Sequence, residues 1–200
     1  MNAANAVDFV FAVSGDRIGR DYAGGLYRAL AAALPWLDDE PLAGVHPMRG
    51  LTPCADGLIV GGRTRLLLRA PAQRAADCER LQGAHIEVPA PLAIGRISVR
   101  ELLAYPVLHA RLVVTGVEDE ADFVADVERG VAELELDCEM IVGKRGELQA
   151  GAERLVGFSL MLHGLSAAES LHVQERGLGL HRKLGCGLFV PHKSIAAVGT

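Results

Sequence analysis

The sequence is short of several things, and each shortage excludes something. Aromatic residues make up 4% of its 200 residues, too few for a surface that grips nucleic acid mainly by stacking bases on rings. Cysteine occurs four times, at Cys54, Cys78, Cys138 and Cys186, with no two spaced as CxxC. That argues against a zinc ribbon or disulfide framework, and reduced, mostly buried thiols are expected. No histidine pair has HxH or HExxH spacing, and there is no GxSxG elbow, so neither a metal nor a cofactor is expected. No apolar run approaches the roughly 18 residues of a spanning helix. The start, MNAANAVDF, has neither a positive region nor a long apolar stretch, so no leader, no membrane contact and a cytoplasmic location are expected. Lysine is nearly absent beside arginine: Lys144, Lys183 and Lys193 against 17 Arg. Arginine suits bidentate phosphate contacts.

Half of the chain is hydrophobic and 22% is charged, which supports a sizeable core and excludes global disorder. The formal net charge of −5 argues against a generic basic nucleic-acid binder, but the charge is unevenly placed. Glu118 to Glu139 holds ten acidic residues and one basic, Arg129; the rest carries 15 acidic and 19 basic residues. Arg176 to Thr200 contains no acid at all. An acidic helix set apart from a basic C-terminal segment is compatible with a phosphate-binding surface.

Hydrophobic patterning orders the elements. VDFVFAV (Val7 to Val13) is a strand, and Asp21 to Leu34 a helix with Asp21 as cap and Pro35 as stop. A strand near Val45, a turn at Ala55-Asp56-Gly57 and the strand TRLLLR (Thr64 to Arg69) follow. Then come a short helix from Ala72 to Leu81 opened by Pro71, and extended segments at His85 to Val88 and Ser98 to Leu103. The order then repeats. Val107 to Thr115 is a strand and Asp119 to Leu134 a helix capped by Asp119. Asp137 to Val142 is a strand ended by a turn at Lys144-Arg145-Gly146. Leu155 to Leu162 is a strand, Ser166 and Glu169 form a capping box on the helix Ala167 to Gln174, and Cys186 to Val190 is the last strand. The fold class is therefore α+β: two tandem ferredoxin-like βαββαβ units, residues 1–104 and 105–200, with the connectivity of RNA-recognition modules.

The densest motif is RGLGLHRKLGCGLFVP, Arg176 to Pro191. Gly177, Gly179, Gly185 and Gly187 bracket His181-Arg182-Lys183. Glycine N–H groups beside cations make a natural phosphate cradle. The spacing matches neither the dinucleotide fingerprint nor a P-loop. The helix LSAAESLHVQERGLG, the tip HRKLGCG and the strand LFVPHKS resemble the C-terminal signature of CRISPR-associated repeat endoribonucleases of the RAMP class. GDRIGRDYAGGLYRALAAALPWL, GVHPMRG and RTRLLLRAP extend that resemblance to the N-terminal half, closest to the myxobacterial-type subgroup. It implies metal-independent cleavage of precursor CRISPR RNA by the repeat's own 2′-hydroxyl, leaving a 2′,3′-cyclic phosphate and a 5′-hydroxyl. It also implies repeat RNA as partner, with further effector-complex subunits in reach.

Such chemistry needs a base, an acid and cations for the developing phosphoryl charge. His46, in GVHPMRG after the first helix, matches the resemblance's catalytic histidine and is the expected acid/base. Arg49 is expected as phosphate clamp and Tyr27 as helper. Arg176, Gly177, Gly179, His181, Arg182, Lys183, Gly185, Gly187 and Lys193 are the expected RNA contacts, with His181 as alternative catalyst. Two other readings stand beside this one: a non-catalytic guide-RNA-binding subunit, and a small-molecule sensor on the same fold.

Overall fold

The computed structural model describes residues 5–88 and 90–192. Strand β1 (Ala6–Ser14) is followed by β2 (Arg17–Ile18), helix α1 (Tyr22–Ala33), β3 (Gly44–Val45), β4 (Arg49–Cys54) and β5 (Gly57–Pro71). Helix α2 (Ala75–Glu79), β6 (His85–Val88) and β7 (Ala90–Glu101) complete the first sheet. Its strand order is β2-β5-β1-β7-β6, with β3 and β4 also paired to β5. The second sheet contains β8 (Val107–Val113), β9 (Glu139–Ala150), β10 (Glu153–His163) and β11 (Val190–Pro191), in the order β11-β8-β10-β9, with helices α3 (Glu120–Glu133) and α4 (Ala167–Arg176) between its strands. Every pairing is antiparallel. In both sheets the first and third long strands lie at the centre, flanked by the second and fourth, which is the ferredoxin-like arrangement twice over.

Alternation along β1 explains the first core. Val7, Phe9, Phe11 and Val13 share one face of the strand and pack with Leu26 and Leu30 of α1. In the second core, Phe123 and Val127 of α3 and Val173 of α4 cover Leu108, Phe158, Leu160 and Leu162. The Phe123 and Phe158 rings lie 4.8 Å apart.

Local capping follows the sequence where the side chains are free to reach. Asp119 accepts from the Ala121 and Asp122 N–H groups, and Ser166 and Glu169 form the full capping box. Asp21 makes no side-chain cap bond. Three other expectations are corrected. Lys144-Arg145-Gly146 is not a turn: Arg145 and Gly146 pair with Phe158 and Gly157, so β9 runs on to Ala150 and the chain reverses at Gly151, where φ is +71°. The short helix after Pro71 starts at Ala72 as expected, but its first turn is 3₁₀ (Ala72–Arg74) and α2 ends at Glu79 rather than Leu81. The last strand is Val190–Pro191 and does not begin at Cys186, because Gly185 and Gly187 hold left-handed backbone that strand pairing excludes.

All four cysteines are free, Cys78 and Cys186 buried and Cys54 and Cys138 half-buried. Among the described residues no helix is long and apolar enough to cross a membrane.

Candidate active site

A cleft of about 530 Å³ opens between the two sheets. The first half contributes Arg20, Tyr22, His46 and Met48; the second contributes Arg111, Glu147, Lys183 and Gly185. His46 follows β3, where its N–H donates to the Leu67 carbonyl (2.9 Å) and keeps the chain on the edge of β5. The side chain is only 4% exposed. Its Nε2 points at Asp8 Oδ1, 3.6 Å away. That carboxylate is gripped bidentately by Arg69, from Nε to Oδ1 (2.7 Å) and from Nη2 to Oδ2 (3.0 Å).

Each charge responds to this setting. Burial pushes His46 below the usual histidine range; Arg69 and Arg49 push the same way, and Asp8 opposes them. The ring is therefore neutral at pH 7. Burial pushes the Asp8 carboxyl up, but the contacts with His46 and Arg69 outweigh it and hold it well below the usual carboxylate range. A carboxylate beside Nε2 favours the tautomer with the proton on that nitrogen, leaving Nδ1 as the basic atom. Tyr22 also faces the cleft. Its hydroxyl oxygen accepts from the Met48 N–H (2.9 Å), and burial raises its pKa, so its proton stays on at neutral pH and is available for donation.

The glycine-rich segment reaches the same cleft by folding on itself. Helix α4 ends where Gly177 (φ +68°) turns the chain. The Leu180 N–H then donates to the Val114 carbonyl and the Gly187 N–H to the Leu112 carbonyl. A side chain at Gly177 or Gly187 would collide with the Gly187 or Leu178 carbonyl, so these glycines are required by chain crossing rather than by an external ligand. Gly185 (φ +97°) sits against the Pro47 ring, where an added Cβ would lie only 3.1 Å from Pro47 Cδ. That contact presses the loop against the His46 segment. Arg182 is drawn inward and donates from Nη2 to the Leu42 and Glu175 carbonyls (3.2 and 2.7 Å). Burial without a carboxylate partner pulls its pKa down to about 10, with Arg69 adding to the effect.

The expected residues therefore divide. His46, Lys183 and Gly185 share the cleft. Lys183 Nζ donates to the Asp38 carbonyl of the first half. Arg49 is exposed on β4, close enough for its charge to act on His46. Tyr27 turns away, donating to Asp38 Oδ1 (2.5 Å). Gly177 and Gly187 are buried, Arg176 and Gly179 exposed, and His181 half-buried with left-handed backbone (φ +62°). Lys193 lies outside the described residues. The sequence reading missed Arg20, Tyr22 and Arg111. Arg111 carried a usable signal, a lone cation within the otherwise apolar strand VLHARLVVT; Tyr22 and Tyr27 both sit in one helix, and only the helix's rotation separates them.

Two tandem ferredoxin-like units meet at a cleft that carries a histidine and several cations, which defines the class of fold and site. The chain belongs to the Cas6 family, since the family model described as Cas6 Crispr matches residues 7–194. It is 38% identical over 194 residues to the CRISPR-associated endonuclease Cas6 of Myxococcus xanthus (strain DK1622), covering 96% of this chain and 84% of that protein. Solved structures share the fold at low identity. One described as an RAMP protein binding different RNA substrates has a TM-score of 0.68 at 12% identity, covering 92% of this chain and 98% of that one. A Cas6-related protein from Pyrococcus furiosus has a TM-score of 0.66 at 14% identity, with the same two coverages.

Proposed function

We propose that this protein processes precursor CRISPR RNA by cutting within the repeat without a metal ion. The repeat's own 2′-hydroxyl attacks the adjacent phosphorus while its proton passes to His46 Nδ1. The P–O5′ bond breaks, the leaving oxygen takes a proton from the Tyr22 hydroxyl, the tyrosinate is reprotonated from His46, and the products are a 2′,3′-cyclic phosphate and a 5′-hydroxyl. Arg49 and Lys183 offset the charge developing on the phosphoryl oxygens, with Arg20 and Arg111 on the cleft walls. Tyr22 replaces Tyr27 as the helper. In the glycine-rich segment, Arg176, Gly179, His181, Lys183 and Gly185 contact RNA, with Lys193 beyond them, while Gly177, Arg182 and Gly187 maintain the loop's shape. Residues 1–104 and 105–200 act as the two modules that bound the cleft.

The observation that carries this reading is His46 with its Nε2 directed at Asp8, in a cleft with cations from both halves. The relationship to the Myxococcus xanthus endonuclease supports it. The test is incubation with the repeat RNA of its own locus in EDTA, beside a substrate carrying a 2′-deoxy at the scissile nucleotide. Cleavage of the ribose form alone, lost in His46→Ala and undiminished by EDTA, is expected; metal-dependent cutting refutes the mechanism. A second reading, a guide-RNA-binding subunit within an effector complex, has one observation on its side: His46 is almost fully buried. Tight binding without cleavage by the wild type would establish it.

A further inference from the structure

The hairpin β4–β5 carries a charge arrangement that the fold does not explain. Arg49 and Arg65 are direct cross-strand partners. Like charges in that position repel and are normally avoided or neutralised by a neighbouring acid. Here the acid is missing: between Glu40 and Asp77 the sequence contains Asp56 alone, and Asp56 is engaged by Arg17 at 3.1 Å. Among the described residues none of Arg49, Arg63 and Arg65 is in an ion pair.

The third arginine lies in the bulge that adjoins this pair. The pairing register slips between Arg49 and Leu51, so residues 61–64 bulge opposite Gly50. Gly50 is left-handed (φ +77°), and a Cβ there would strike the Arg63 carbonyl. Buried Thr64 ties the bulge down: its hydroxyl donates to the Gly50 carbonyl (3.1 Å) and accepts from the Gly61 N–H (2.9 Å). The Arg65 guanidinium is oriented by its own segment, with Nη1 donating to the Gly62 and Thr64 carbonyls (2.9 and 2.7 Å). Gly61 and Gly62 leave open space beside it, with no atom within 4 Å of where a side chain would begin. The result is three arginines outside any ion pair among the described residues, one of them pre-oriented, on and beside a pinned bulge that is open at Gly61 and Gly62.

We infer that Arg63 and Arg65, the latter facing Arg49 across the hairpin, form a clamp for the phosphate backbone of RNA beyond the cleft, on the first half of the protein. The inference rests on the RNA-processing reading and extends it by moving part of the RNA footprint away from the glycine-rich segment. Phosphates remove the cross-strand repulsion that the apo hairpin retains. The clamp reads no base, because guanidinium groups meeting phosphate oxygens carry no sequence information.

The test is the salt dependence of binding, using the cognate repeat RNA blocked by a 2′-deoxy at the scissile nucleotide. Each phosphate contact contributes roughly 0.7–0.9 to the slope of log affinity against log salt. The double variant Arg63→Gln/Arg65→Gln is expected to flatten the slope by about 1.5 and weaken binding on the order of tenfold at physiological salt. Arg63→Lys/Arg65→Lys, which keeps the charge, should retain most of the slope. Arg129→Gln on the acidic helix should leave it unchanged. A wild-type slope in the Gln variant overturns the clamp while leaving the functional reading intact. A wild type that does not bind the repeat RNA in a salt-sensitive way overturns both. Thermal melting of each variant separates a local loss of charge from unfolding.

Discussion

Arg69 is the residue whose loss should be felt most widely. It is 1% exposed and makes four hydrogen bonds. Two go to Asp8, and two run from Nη1 to the Gln174 and Phe189 carbonyls in the second half (2.9 Å each). Arg69→Met keeps the volume and removes the charge. Asp8, 15% exposed, is then a nearly buried carboxylate without its main partner, and two interior carbonyls lose their donor. Breaking a buried ion pair from one side costs about 3–5 kcal/mol, and the stranded carbonyls keep the figure in the upper part of that range. For a chain of this size, about 4 kcal/mol lowers the melting temperature by roughly 8–16 °C. Differential scanning calorimetry measures it. Adding Asp8→Asn to the variant removes the stranded charge and should restore about 2 kcal/mol, the opposite of what two independent losses would do. A drop below 2 °C in Arg69→Met, or a double variant worse than the single by the full cost of Asp8→Asn, refutes the reasoning that Arg69, charge-paired with Asp8, stabilises the fold by bonding to both halves.

Acid should act through the same carboxyl. Asp8 is held below the usual carboxylate range, so its stabilising contribution is complete above about pH 4 and is lost as pH falls from there toward the depressed folded value. Urea midpoints at pH 6, 4 and 3 should fall more steeply for the wild type than for Asp8→Asn, and parallel curves would contradict the assignment. In the glycine-rich segment, Gly187→Ala should destabilise by at least about 2 kcal/mol, since φ is +64° and the methyl would meet the Leu178 carbonyl; denaturant titration showing less than 0.5 kcal/mol would remove the crossing argument. Tyr22→Phe should slow single-turnover cleavage of repeat RNA while Tyr27→Phe leaves it at the wild-type rate, because the Tyr22 side chain lines the cleft and the Tyr27 hydroxyl is turned to Asp38; the reverse order would restore the helper role to Tyr27.

The sequence carried the element order well, because the signals there are local. A period of two in VDFVFAV, a capping box at Ser166 and Glu169, and a helix stop at Pro35 are decided by neighbours within a few residues. The glycine spacing of Arg176 to Pro191 and the GVHPMRG segment were likewise legible. The misjudged turn at Lys144-Arg145-Gly146 shows the limit. A basic, glycine-containing stretch has the composition of a turn, but β10 pairs with Arg145 and Gly146 and with the residues on both sides of the stretch, and that pairing prevails over local preference.

What the sequence determined by itself was the alphabet of the site: one histidine in a loop, many arginines, a glycine-rich basic tip, and two βαββαβ units to hold them. What the tertiary structure decided was which of these face each other. Asp8 and His46 are 38 positions apart, and Arg69 and Phe189 are 120 apart; no periodicity relates them. Only the packing of one half on the other turns Arg182 inward to cap carbonyls and brings Gly185 against Pro47. Charge counted along a chain is a sum, whereas binding depends on which charges lack a partner, and partners are assigned by contact across the fold.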